Sequence, residues 1–126
     1  MQNAINWFEI PAIDFDRAVA FYSSVLAVDI QKAEFMGEPQ GFFPMDQESV
    51  GGAIVRSDRL KPSATGTLIY LNLATVEKLQ QALERVEPNG GKVCMPITDI
   101  GDPGFIGQIL DTEGNSIGFH ALRPAE

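Results

Sequence analysis

Few residues in this chain are suited to acid–base, nucleophilic or metal chemistry. It holds one histidine, His120, one cysteine, Cys94, and one tryptophan, Trp7. Glu9 stands two residues after Trp7, so on an extended strand the carboxylate and the indole share a face. A carboxylate in an apolar pocket loses solvation of its charged form and becomes a general base near neutral pH, which makes Glu9 the candidate catalytic residue. The competing reading is that Glu9 hydrogen-bonds polar groups across the pocket and only shapes it, with Tyr70 and Gln108 as partners. Phe42 and Phe43 alternate, so one of them faces the same pocket, and Phe42 is assigned to it. Cys94 has no histidine paired with it in the sequence, and it reads as a small buried hydrophobe rather than a nucleophile. A single His120 reads as a rim or hydrogen-bonded residue before it reads as a ligand.

The elements that carry these residues follow from periodicity. Residues 5–11 alternate as a strand, with Trp7 and Glu9 on one face and Phe8 and Ile10 on the other. A helix over 15–26 follows, with Asp14 as N-cap and Phe15, Ala18, Val19, Tyr22, Val25 and Leu26 as its apolar stripe. Extended segments are expected near 28–35, 40–45 and 51–56, separated by Gly37-Glu38-Pro39 and by Asp46-Gln47-Glu48-Ser49. Residues 57–66 lack periodicity and read as a connection. A second strand over 67–73 leads to a helix capped by Thr75, with Val76, Leu79, Leu83 and Val86 on one stripe and Pro88 and Gly90-Gly91 ending it. Extended segments at 92–96, 105–110 and 115–121 complete the chain. Ile97 to Gly104 form a loop, and Asp111 to Asn115 a hairpin turn in which Gly114 or Asn115 takes the positive φ.

Each half therefore reads βαβββ. Sliding the sequence by 61 places sets Trp7 over Leu68, Phe8 over Ile69, Ile10 over Leu71, Asp14 over Thr75 and Phe15 over Val76. The expected organisation is one α+β domain over 1–126, with module one at about 1–56, a linker at about 57–66 and module two at about 67–126.

Bulk properties exclude several classes of function. With 126 residues, 44% hydrophobic and 21% charged, the chain has the composition of an ordinary globular domain. A formal charge of −8 with only nine Lys and Arg argues against nucleic-acid partners. No apolar run reaches the roughly 20 residues of a membrane span, and no signal-like segment opens the chain, so a cytoplasmic location is expected. The lone cysteine excludes an internal disulfide and agrees with a reducing compartment.

The run I-P-A-I-D-F-D-R-A-V-A-F-Y from Ile10 to Tyr22 resembles the strand-to-helix signature of the vicinal oxygen chelate superfamily, which includes glyoxalase I, bleomycin-resistance proteins and extradiol dioxygenases. The run D-T-E-G-N-S-I-G-F from Asp111 to Phe119 is similar to its closing hairpin, with Thr112 where proline is usual. Trp7 to Pro11 and Ile117 to Phe119 look most like uncharacterised members related to lactoylglutathione lyase. The resemblance implies a cup-shaped, partly open barrel built from both modules, and a homodimer.

In metal-dependent members the resemblance places ligands at the positions of Trp7, Leu68 and Gly118, and on the segment Val50 to Val55. None of these supplies a donor, whereas a divalent metal needs about three. No metal cofactor is expected. The expected function is to bind a small, partly apolar molecule in a cup lined by Trp7, Glu9, Phe42, Leu68, Tyr70, Gln108, Gly118 and His120. The alternative is a lyase, isomerase or dioxygenase-type enzyme using Glu9 as base or a displaced metal site near Glu9 and His120. A third reading gives the chain a self-associating role with a vestigial cup.

Overall fold

A computed structural model describes residues 2–125. Module one runs β1 (Trp7–Pro11), α1 (Phe15–Leu26), β2 (Gln31–Phe35), β3 (Glu38–Phe42) and β4 (Gly51–Val55). Module two repeats the order with β5 (Tyr70–Ala74), α2 (Val76–Val86), a 3-10 turn at Glu87–Asn89, β6 (Lys92–Asp99), β7 (Phe105–Leu110) and β8 (Ser116–Ala121). The α+β reading with two βαβββ modules holds.

Each module forms its own four-stranded sheet, in the orders β1-β4-β3-β2 and β5-β8-β7-β6. In both, the first strand pairs in parallel with the last, with Trp7 opposite Gly51 in one and Tyr70 opposite Gly118 in the other. The two sheets do not close into a barrel.

Both helices begin as their sequences dictate. The Asp14 carboxylate accepts from the Arg17 N–H at 3.1 Å, and the Thr75 hydroxyl accepts from the Lys78 N–H at 3.1 Å, each satisfying a first-turn donor that lacks a partner within the helix. The buried stripes Ala18, Val19, Phe21, Tyr22 and Val25 of α1 and Leu79, Ala82, Leu83 and Val86 of α2 meet in one core. That core also takes in Ile10, Ile54, Ile109 and Phe119 from the sheets, so the modules share a single hydrophobic interior. The opposite sheet faces, which carry Trp7, Glu9 and Phe42 in one sheet and Tyr70, Gln108, Gly118 and His120 in the other, lie away from the helices.

The closing hairpin turn ties module two to module one. Asp111 accepts from the N–H groups of Glu113 and Asn115, from the Asn115 amide, and from the Tyr22 hydroxyl of α1 at 2.5 Å. Asn115 also donates to the Pro11 carbonyl at 2.8 Å. Glu113 accepts from the Ile13 and Asp14 N–H groups and pairs with Arg17 at 2.7 Å. Thr112, where the resemblance makes proline usual, donates its hydroxyl to Glu113 at 2.9 Å. Of the two residues expected to take positive φ here, Gly114 does.

Three sequence expectations need correction. The turn between β2 and β3 is Met36-Gly37, both left-handed as a two-residue hairpin loop requires, so β3 begins at Glu38 and ends at Phe42 rather than running 40–45. Strand β6 continues to Asp99, because two register shifts against β7 let an edge strand absorb Pro96, and the expected loop at 97–104 shortens accordingly. Cys94 is exposed rather than buried: its neighbour Val93 packs on the core, so alternation turns the thiol outward.

Candidate functional site

The residues singled out by sequence fall into two groups, one on each sheet. On the first sheet the Trp7 indole N–H donates to a Glu9 carboxylate oxygen at 3.3 Å. The Trp7 ring stacks at a tilt against Phe42, with centroids 6.1 Å apart. Trp7 keeps 38% of its surface exposed, enough to receive a ligand from the open side. Trp7 and Glu9 line a cavity of about 390 Å³ between β1 and the start of module two, where Ile5, Lys61, Ile69 and Ser116 form other walls. Its volume lies in the range of small-molecule sites. Lys61 and Ser63 are polar groups on this cavity that sequence reasoning missed, since the linker gave no periodic signal.

On the second sheet Tyr70, Gly118 and Gln108 sit side by side across β5, β8 and β7. The Gln108 amide donates to the Tyr70 hydroxyl at 2.8 Å, so the two groups expected to partner Glu9 pair with each other instead, and Glu9 is met by the Trp7 indole. The Tyr70 ring lies directly over Gly118: a β-carbon at 118 would stand 2.3 Å from the ring, closer than any real side chain approaches. Gly118 is therefore required by Tyr70. His120 is half-buried, and its Nε2 pairs with the Pro103 carbonyl at 2.7 Å. A carbonyl only accepts, so Nε2 carries the proton and is committed to the 100–104 loop. Leu68 is exposed, just ahead of β5, and none of Leu68, Tyr70, Gln108, Gly118 and His120 lines the Trp7 cavity.

These residues do not fit a divalent metal of the kind the resemblance implies. An indole at 7, an isobutyl group at 68, a hydrogen at 118 and the Gly-Gly-Ala-Ile-Val of β4 offer no nitrogen or carboxylate donor. The Tyr70 ring fills the space into which a side chain at 118 would project. Among the described residues no three His, Cys, Asp or Glu groups converge.

The family model of the Glyoxalase/Bleomycin resistance protein/Dioxygenase superfamily matches residues 4–119. The chain belongs to that superfamily. A glyoxylase-like domain-containing protein of Didymella fabae is 30% identical over 135 residues, covering 97% of this chain and 94% of that protein. CFP32 of Mycobacterium bovis, a glyoxylase by name, is 28% identical over 119 residues. That match takes in 93% of this chain, which spans only 45% of CFP32. Among solved structures, a glyoxalase/bleomycin resistance protein from Albidiferax ferrireducens superposes with a TM-score of 0.77 at 15% identity, over 97% of this chain and 100% of that one. The fosfomycin resistance protein FosX of Listeria monocytogenes gives 0.71 at 15% identity, over 98% and 94%. At such identities these structures establish the shared fold and leave the site to be read from its own residues.

Proposed function

We propose that this glyoxalase-like chain binds a small, partly apolar molecule against Trp7 and Glu9 without a divalent metal. What supports the reading is the chemistry at the positions where the resemblance places ligands: Trp7, Leu68, Gly118 and β4 carry groups that cannot coordinate, and the space a side chain at 118 would need is taken by the ring of Tyr70. FosX, by contrast, has been crystallised with Mn(II) and a dihydroxypropylphosphonic acid. In this chain the indole supplies an aromatic wall, Phe42 backs it, and the Glu9 carboxylate, oriented by the indole N–H, supplies a hydrogen-bond acceptor.

The reading includes a homodimer. The strand β2 is exposed along its whole length, and Phe35 and Met36 at its end are 58% and 86% exposed. An unprotected edge with apolar residues is a template for pairing.

A second reading is favoured by one feature, the Glu9 carboxylate on the wall of the cavity. In it the same site abstracts a proton from a bound substrate, as a lyase or isomerase would, with Glu9 as general base. Screening a fragment library by Trp7 fluorescence, followed by assay of any hit with Glu9→Gln, separates the two. Binding that survives in Glu9→Gln with no turnover in the parent protein supports the binding role. Turnover abolished by Glu9→Gln supports the enzyme. A library that leaves the fluorescence unchanged counts against both.

A further inference from the structure

A second cavity, of about 460 Å³, opens between the modules beside the helices; Phe8 lines both cavities, while Trp7 and Glu9 line only the first. Its floor is apolar and drawn from both halves: Phe8 and Phe43 from module one, Leu71 and Leu73 from module two. The Phe8 and Phe43 rings are tilted against each other with centroids 5.5 Å apart. The Phe8 ring packs close against Gly52, where an added β-carbon would come within 2.3 Å of it, so only glycine leaves room for this wall.

The rim is cationic. Lys78, Gln81 and Arg85 stand at i, i+3 and i+7 on α2 and so share one side of the helix. Arg85 is held in place by donating to the Val25 carbonyl at 3.1 Å. Among the described residues neither Lys78 nor Arg85 pairs with a carboxylate. No Asp or Glu lines the cavity, although the chain as a whole carries a charge of −8. Ala27, the left-handed C-cap of α1, and Ala74, with φ of 55° and 68°, also line it.

We propose that this cavity is a second ligand site, which takes an amphipathic monoanion: a carboxylate on an aliphatic or aromatic body. The body lies on the phenylalanine and leucine floor and the carboxylate meets Lys78 and Arg85, where charge-assisted hydrogen bonds are the strongest available. A neutral molecule of the same shape gains only the floor. A cation of the same shape is repelled at the rim.

The test is calorimetric titration of the intact protein with sodium decanoate below its micellar concentration, with decan-1-ol and decyltrimethylammonium as matched tails, and with amide chemical shifts recorded alongside. Decanoate is expected to saturate at one per chain, to move the amides of Leu73, Lys78 and Gln81, and to weaken with added salt. Decan-1-ol is expected to bind about tenfold more weakly or worse, and Lys78→Glu, an exposed change, to weaken decanoate by about tenfold with the melting temperature unaltered. Gln81→Trp, which places an indole across the mouth, is expected to abolish binding, and Trp7→Phe to leave it unaltered. Equal affinity for decanoate and decan-1-ol, indifference to Lys78→Glu, loss of binding in Trp7→Phe, or no binding at all would each overturn the proposal. Loss in Trp7→Phe alone would assign the anion to the first cavity, so failure here remains distinguishable from failure of the Trp7–Glu9 reading.

Discussion

The resemblance sets Trp7 and Gly118 at positions where metal-dependent members place ligands, and each has a defined local role here. Trp7 is fixed by Glu9 and Phe42 on the open face of β1, while its neighbours Phe8 and Ile10 hold the opposite face to the core. Trp7→Ala is therefore expected to weaken ligand binding by about tenfold or more while costing the fold little, since most of the loss falls on contacts with the ligand. Parallel fluorescence-free titrations and thermal melts check this; a variant that unfolds outright would make Trp7 a core residue. Gly118→Ala is expected to destabilise by about 1–3 kcal/mol, because the added methyl group must displace the Tyr70 ring or the backbone. Combining it with Tyr70→Ala should recover much of that loss, a coupling readable in a double-mutant cycle of urea midpoints.

At the scale of elements, the hairpin turn from Asp111 to Asn115 orders the module junction. Burial pushes the Glu113 carboxyl up, but hydrogen bonds from Arg17, the Asp14 N–H, the Thr112 hydroxyl and the Ile13 N–H outweigh it and hold the group below the usual carboxylate range. A depressed folded pKa contributes stability that is present above the unfolded value of about 4.3 and is lost as pH falls through the folded value. Acid titration should accordingly flatten in Glu113→Gln, whose urea midpoint is expected to depend less on pH below about 4 than that of the parent. Glu113→Ala should cost roughly 2–4 kcal/mol, since it leaves two α1 N-terminal N–H groups without their acceptor. Tyr22 is pushed well above the usual phenol range by its burial and then by the Asp111 charge, so its contribution is present below about pH 10 and fades only in stronger alkali.

Much of this architecture was legible in the sequence because it rests on local chemistry. Asp14 and Thr75 announced both helix starts, and the apolar stripes announced their buried faces. The β2–β3 turn was misplaced because Met36 takes a left-handed conformation that propensity assigns to Gly or Asn, while Pro39, a usual breaker, sits inside a strand. Tyr70 and Gln108 could be named from the sequence as polar residues of the open face, but neither their bond to each other nor the dependence of Gly118 on the Tyr70 ring could, since both are distances between strands. The cavity floor shared by Phe8, Phe43, Leu71 and Leu73 was equally hidden, because it exists only once the two modules are packed.

The whole molecule is a member of the Glyoxalase/Bleomycin resistance protein/Dioxygenase superfamily built from two βαβββ modules, and the proposed reading gives it a site that works without a divalent metal. Two chains are expected to associate through exposed edges, giving a dimer mass by light scattering at micromolar concentration; a monomer mass there would contradict that part of the account. The most direct test of the central claim is elemental analysis of protein purified without chelator and dialysed exhaustively. The account predicts far less than one divalent metal per chain, because Trp7, Leu68, Gly118 and β4 supply no donor to hold it. About one Zn, Ni, Fe or Mn per chain would contradict it.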